Sequence, residues 1–237
     1  MSARPVLSVD EPNGPVRAVA LVLHGGRSTG LGPVRPLQLA VLRMLPFATS
    51  LRRAGARDGL AVARLRYAVR GWNGAKRSPV ADSWWALDQL AARFPGAPVA
   101  LVGHSMGGRA ACYVAGHPGV RAIVGLAPWL EPGDEENTVS QLAGRRVLIV
   151  HGSLDRTTDP ASSASFARAA ENVAESVTYV RVEGERHAML RRPSLWHGLA
   201  TGFVLAVMCG KTPQGTAQDQ TTNTLSMALA GQVALVV

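Results

Sequence analysis

The sequence predicts an α/β fold, a mostly parallel central sheet with helices on both faces. Three observations lead there. Short apolar runs alternate along the chain with segments of helical spacing. Those runs are mostly apolar instead of alternating strictly with polar residues, as strands covered on both faces require. Several of them end abruptly in glycine-rich turns, where parallel strands hand over to helices.

Residues 16–23 read as the first strand, ending at His24-Gly25-Gly26. Apolar residues recur at helical spacing over 34–54, with Pro36 near the start and Pro46 as the expected kink. A strand over 60–65 follows. Residues 80–94 predict a helix that Pro79 precedes, that Asp82 and Ser83 suit in the first turn, and that Pro95-Gly96 ends. Strands over 98–102, 120–126, 146–150 and 177–182 come next, with a helix from Met106 to about His117 between the first two. Asp159-Pro160 has the form of an N-cap followed by proline at the first helical position. Residues 193–209 read as a further helix.

The chain has 237 residues, 47% of them apolar, enough for one sizeable core. A single domain is expected over 1–210. Residues 211–237 are set apart as a tail: a polar, Thr- and Gln-rich linker, then a short apolar segment that could pack back, meet a partner or stay disordered. No secretory signal is seen at the start, and no apolar run reaches the ~18 residues of a membrane span. Two cysteines, Cys112 and Cys209, suit a reducing compartment, so a cytoplasmic location is expected. No metal-ligand cluster, phosphate loop or cofactor motif is present, and no cofactor is expected. The formal charge is +9, from 25 Lys and Arg against 16 Asp and Glu. These cations are dispersed singly, which favours solvated faces over nucleic-acid binding.

Residues 103–108 read Gly-His-Ser-Met-Gly-Gly directly after a predicted strand. This is G-x-S-x-G at a strand-to-helix turn. Glycines suit it because the turn leaves no room for Cβ atoms, and Ser105 is left at the apex with free N–H groups of the following helix nearby. Activating a serine needs a base, and a group to orient that base. Asp155 lies in His151-Gly152-Ser153-Leu154-Asp155, after the strand over 146–150. His187 lies in Gly184-Glu185-Arg186-His187, after the strand over 177–182. In a parallel sheet the C-terminal strand ends share one edge.

The order Ser105, Asp155, His187, together with His24-Gly25-Gly26, resembles the α/β-hydrolase superfamily, specifically its small lid-less serine esterases and dienelactone-hydrolase-like members. The matched motifs spread over about residues 17–210. The resemblance implies the α/β-hydrolase fold without a large cap domain, and a carboxylic ester or thioester hydrolase. It implies Ser105 as nucleophile, His187 as base and Asp155 as orienting acid. Met106 would supply one oxyanion N–H, and Gly26, or else Arg27, the other. An amidase, an acyltransferase or a perhydrolase could use the same residues, and a non-catalytic binding protein could keep the fold. Only about twenty residues separate the strand ends near Leu126 and Arg146, too few for a separate cap domain. An open site and a small acyl ester substrate are therefore expected, with neither nucleic acid nor stable membrane insertion; oligomeric state is left open. Tyr67 and Trp129, each just past a strand end, are candidate pocket residues. Arg70 and Arg109 are candidates for an anionic group, and Trp72 for packing under a loop.

Overall fold

The computed structural model describes residues 3–213 and 219–237. Eight strands form one sheet: β1 (Val6–Asp10), β2 (Ala18–Leu23), β3 (Leu60–Arg66), β4 (Val99–His104), β5 (Val120–Leu126), β6 (Arg146–Gly152), β7 (Ser176–Val182) and β8 (Ala234–Val236). Their order is β1-β3-β2-β4-β5-β6-β7-β8, and only β1, against β3, is antiparallel.

The central strands are buried on both faces, and each face has its own core. In β2, Val19, Leu21 and Leu23 point to one side, where Leu87 and Leu90 of α3 (Ser78–Arg93), Ala110 of α4 (Met106–Tyr113) and Phe166 of α6 (Pro160–Ala170) pack. Ala18, Ala20 and Val22 point to the other, against Phe47 and Leu51 of α2 (Leu45–Gly55) and Trp196, Leu199 and Phe203 of α7 (Pro193–Cys209). The run over 193–209 is a helix with the bounds expected from sequence. Asp159 caps α6, accepting from the amides of Ala161 and Ser162.

The structure departs from the sequence reading at an unpredicted β1 and in two helices, and it takes one of the alternatives left open for the tail. The helix expected over 34–54 is two, α1 (Leu39–Leu42) and α2. Pro46 sits in the first turn of α2, where its missing N–H costs nothing, so it starts a helix instead of kinking one. α4 ends at Tyr113, short of His117. In the tail, α8 (Gln220–Leu229) and β8 extend the body: Leu225 and Leu235 join the core on the α7 side. Residues 214–218 of the expected linker lie outside the described residues. Between β5 and β6 stand only α5 (Asp134–Thr138) and a short helical turn, with no inserted cap domain. No described helix is long and apolar enough to cross a membrane.

Candidate active site

Ser105 sits between β4 and α4 with φ 54° and ψ −119°, a strained backbone for any residue with a side chain. Packing holds it there. A Cβ on Gly107 would lie 2.5 Å from the Leu23 carbonyl oxygen, and one on Gly103 would collide with the backbone of Gly107. The Ser105 amide donates to the Leu126 carbonyl at 3.0 Å, and its own carbonyl accepts from the Trp129 amide at 3.1 Å. The hydroxyl-bearing residue is thus clamped to the loop after β5.

Asp155 and His187 come together at the ends of β6 and β7. His187 Nδ1 lies 2.7 Å from Asp155 Oδ2. The two loops are bonded to each other: the Ser153 amide donates to Val182 O, and the Leu154 amide to Glu185 O. Glu185 is buried, accepting from Trp196 Nε1 at 2.8 Å and from the Arg191 amide at 3.2 Å, which anchors the turn carrying His187. Nothing in the sequence marked Glu185, because its partner Trp196 is a helix residue beyond the turn.

Asp155 has a second imidazole. His151 Nε2 lies 3.1 Å from Asp155 Oδ2, while its Nδ1 meets Ser163 Oγ at 2.8 Å. Thr158 Oγ1 donates to the same carboxylate at 2.9 Å, and the amides of Thr157 and Thr158 add 2.8 and 3.1 Å contacts. Burial alone would raise this carboxyl's pKa. The hydrogen bonds from His151, His187 and the two amides outweigh burial and hold it well below the usual carboxylate range. In the sequence His151 is only the first residue of the motif that carries Asp155; its 0% exposure and its contact with that carboxylate become visible only once the turn is folded.

His104 is buried beside His187, with ring centroids 4.6 Å apart, and its Nε2 lies 3.1 Å from His187 O. Burial, then the neighbouring His187, lowers its pKa to about 3. Arg43 also reaches the His187 carbonyl, at 3.4 Å. Among the described residues, no hydrogen bond joins Ser105 Oγ to His187. Such contacts are commonly long without substrate.

The loop after β2 faces the elbow. A Cβ on Gly25 would stand 3.4 Å from Ser105 Cβ, and one on Gly26 would strike the Met106 side chain. The Arg27 amide donates to Arg70 O at 2.9 Å, whereas no described hydrogen bond uses the amides of Gly26 or Met106. His24 braces the loop: Nδ1 contacts Gly25 O at 2.6 Å and Nε2 accepts from the Tyr67 amide at 3.2 Å. A cavity of about 270 Å³ adjoins Gly25 and Gly26, lined also by Val34, Leu39 and Arg70.

Tyr67 does not line an opening. It is 0% exposed, edge-on to His24 at 4.6 Å, because β3 delivers it inward beneath the His24 loop. Trp129 is half-buried and stacks with Trp72 around the Arg109 guanidinium, 4.7 and 4.2 Å from the two rings. Arg109 is not open to a ligand either: Asp134 holds it at 2.8 Å and Glu131 at 3.0 Å. Arg70 is half-buried, with Nε on the Pro33 carbonyl at 3.1 Å.

Solved structures share this architecture. A serine hydrolase without a lid from Xanthomonas campestris superposes with a TM-score of 0.63 at 18% identity, over 90% of this chain and 91% of that one. The fold is that of the α/β-hydrolases. Est1E of Butyrivibrio proteoclasticus, solved with ferulic acid, gives 0.61 at 14% identity over 86% of this chain and 95% of its own. A monoacylglycerol lipase of Paleococcus ferrophilus gives 0.61 at 13% over 85% and 99%. A family model described as serine aminopeptidase, S33, matches residues 69–146, a stretch that holds Ser105 and stops before Asp155 and His187. No curated protein matches the chain.

Proposed function

We propose that the chain is a serine hydrolase that cleaves a carboxylic ester or thioester through an acyl-enzyme. The observation that carries this reading is the 2.7 Å His187–Asp155 contact at the same sheet edge as a strained, clamped Ser105. Asp155 occupies Nδ1, so Nε2 is the nitrogen left to take the serine proton. Ser105 Oγ attacks the acyl carbonyl as His187 accepts that proton. His187 then returns it to the leaving alcohol or thiol, and water repeats the sequence to free the acid. Asp155, held ionised by its hydrogen bonds, balances the imidazolium. The amides of Gly26 and Met106 receive the oxyanion; the commitment of the Arg27 amide to Arg70 O favours Gly26 over Arg27. Trp129, tied to Ser105 through its amide, borders the site on the far side.

Amide cleavage is the second reading, favoured by the peptidase name of the matching family model. Purified wild type and Ser105→Ala should be compared on p-nitrophenyl esters and on amino-acid p-nitroanilides. Ester turnover that falls by about a thousandfold or more in Ser105→Ala supports the proposal. Equal turnover by both proteins overturns it, and selective cleavage of the anilides moves the assignment to an amidase.

A further inference from the structure

Five large apolar side chains stand out as the most exposed of the described residues: Leu37 at 81%, Leu39 at 77%, Leu190 at 73%, Val236 at 69% and Leu31 at 68%. A single exposed leucine is ordinary. Here four of the five belong to two loops, those following β2 and β7, which carry Gly26 and His187. Three observations place these loops at one opening. Leu39 lines the same cavity as Gly25 and Gly26. Arg43, which follows α1, reaches the His187 carbonyl. Met189, next to Leu190, is buried in the same core as Met44.

The charge of the segments that carry the leucines is one-sided, whereas at the start of the β7 loop Glu183 pairs with Arg181 and Glu185 is buried. Residues 24–43 and 186–192 contain no Asp or Glu. Arg27, Arg35, Arg186 and Arg191 are exposed, and no ion pair to a carboxylate engages any of them among the described residues. Apolar tips interleaved with guanidiniums that no carboxylate neutralises are what an anionic bilayer surface accepts: leucines enter the acyl boundary and arginines stay among the headgroups. The leucines stand on separate loops flanking an opening, which a fluid surface meets without shape complementarity.

We propose that this rim docks peripherally on an anionic phospholipid surface and turns the site toward it. On the hydrolase reading above, on which this part rests, the substrate is then an amphiphilic ester drawn from that surface, its chain directed to the cavity beside Gly26, Val34 and Leu39.

The test uses the full chain in co-sedimentation with phosphatidylcholine vesicles, with and without phosphatidylglycerol. The same proteins are assayed on p-nitrophenyl acetate in solution. Wild type should sediment with the anionic vesicles and much less with pure phosphatidylcholine. The L31D/L37D/L190D variant should bind the anionic vesicles at least about tenfold more weakly, and R35E should weaken binding as well. Both should keep wild-type turnover of the soluble ester, which also reports that they fold. Wild type that turns over the soluble ester but ignores anionic vesicles overturns the proposal. So does undiminished vesicle binding by the leucine variant, or binding to heparin that matches vesicle binding and ignores the leucines, since either makes the rim a charge-only surface. Vesicle binding without any ester turnover would sink the hydrolase reading and leave the docking surface standing.

Discussion

The loops after β6 and after β2 border the same opening and are built in opposite ways. After β6, one carboxylate collects five hydrogen bonds from His151, His187, Thr157 and Thr158, and the carboxylate, His151 and Thr158 are buried. After β2, the chain runs from Gly26 to Leu39 largely exposed, with leucine tips in water. On the proposed hydrolase reading, the charge that must be stabilised during reaction is fixed in advance. The surface proposed to meet the substrate has its backbone pinned to residues 68–73 but keeps its leucine tips exposed. Preorganisation is concentrated where charge develops, and exposure where recognition happens.

Breaking the β6 side should have the largest effect. Asp155→Asn keeps the shape but presents the wrong hydrogen-bond pattern to Nδ1, and should lower kcat by roughly a thousandfold or more with KM little changed. Steady-state kinetics would check this, and a loss confined to KM would contradict it. His151→Phe removes one donor to a charged acceptor, a loss of about 1.5–3 kcal/mol, so kcat should fall about ten- to hundredfold. Wild-type kcat in that variant would reduce His151 to packing.

On the β2 side, Gly26→Ala puts a Cβ 2.6 Å from the Arg70 carbonyl oxygen and onto the Met106 side chain. The loop must shift, carrying the Gly26 amide with it, and kcat should drop about tenfold or more while the melting temperature changes little. Full activity would mean that the amide does not face the oxyanion. The smallest effect concerns pH. Burial lowers His24 to about 4 and His104 to about 3, against an ordinary 6.5. The unfolded chain therefore binds protons first. Their stabilising contribution is complete above about pH 6.5 and is lost as pH falls toward 4. Thermal unfolding followed over this interval should show a falling midpoint, with a shallower slope in His24→Gln.

Much of this was legible in the residues themselves. Mostly apolar runs ending in Gly-x-Ser-x-Gly, His-Gly-x-x-Asp and Gly-x-x-His marked strands whose ends converge, and Asp155 does meet His187. What the sequence concealed has physical reasons. β1 and β8 are short edge strands with exposed positions, so they lack the continuous apolar signature of β2 or β4. Pro46 reads equally as a kink or a start until the preceding turn is seen. Tyr67 stands at a strand end like Trp129, but β3 turns it inward, and strand-end position alone does not encode that. The arginines are dispersed along the chain, yet loops far apart in sequence bring several of them to one rim.

The central claim is that Ser105 is an activated nucleophile. Intact-protein mass spectrometry after exposure to a fluorophosphonate probe tests it most directly, with wild type run beside Ser105→Ala. One covalent adduct is expected on wild type, mapped to Ser105, and none on the variant. A folded wild type that takes up no probe, or an adduct that persists in Ser105→Ala, would contradict it.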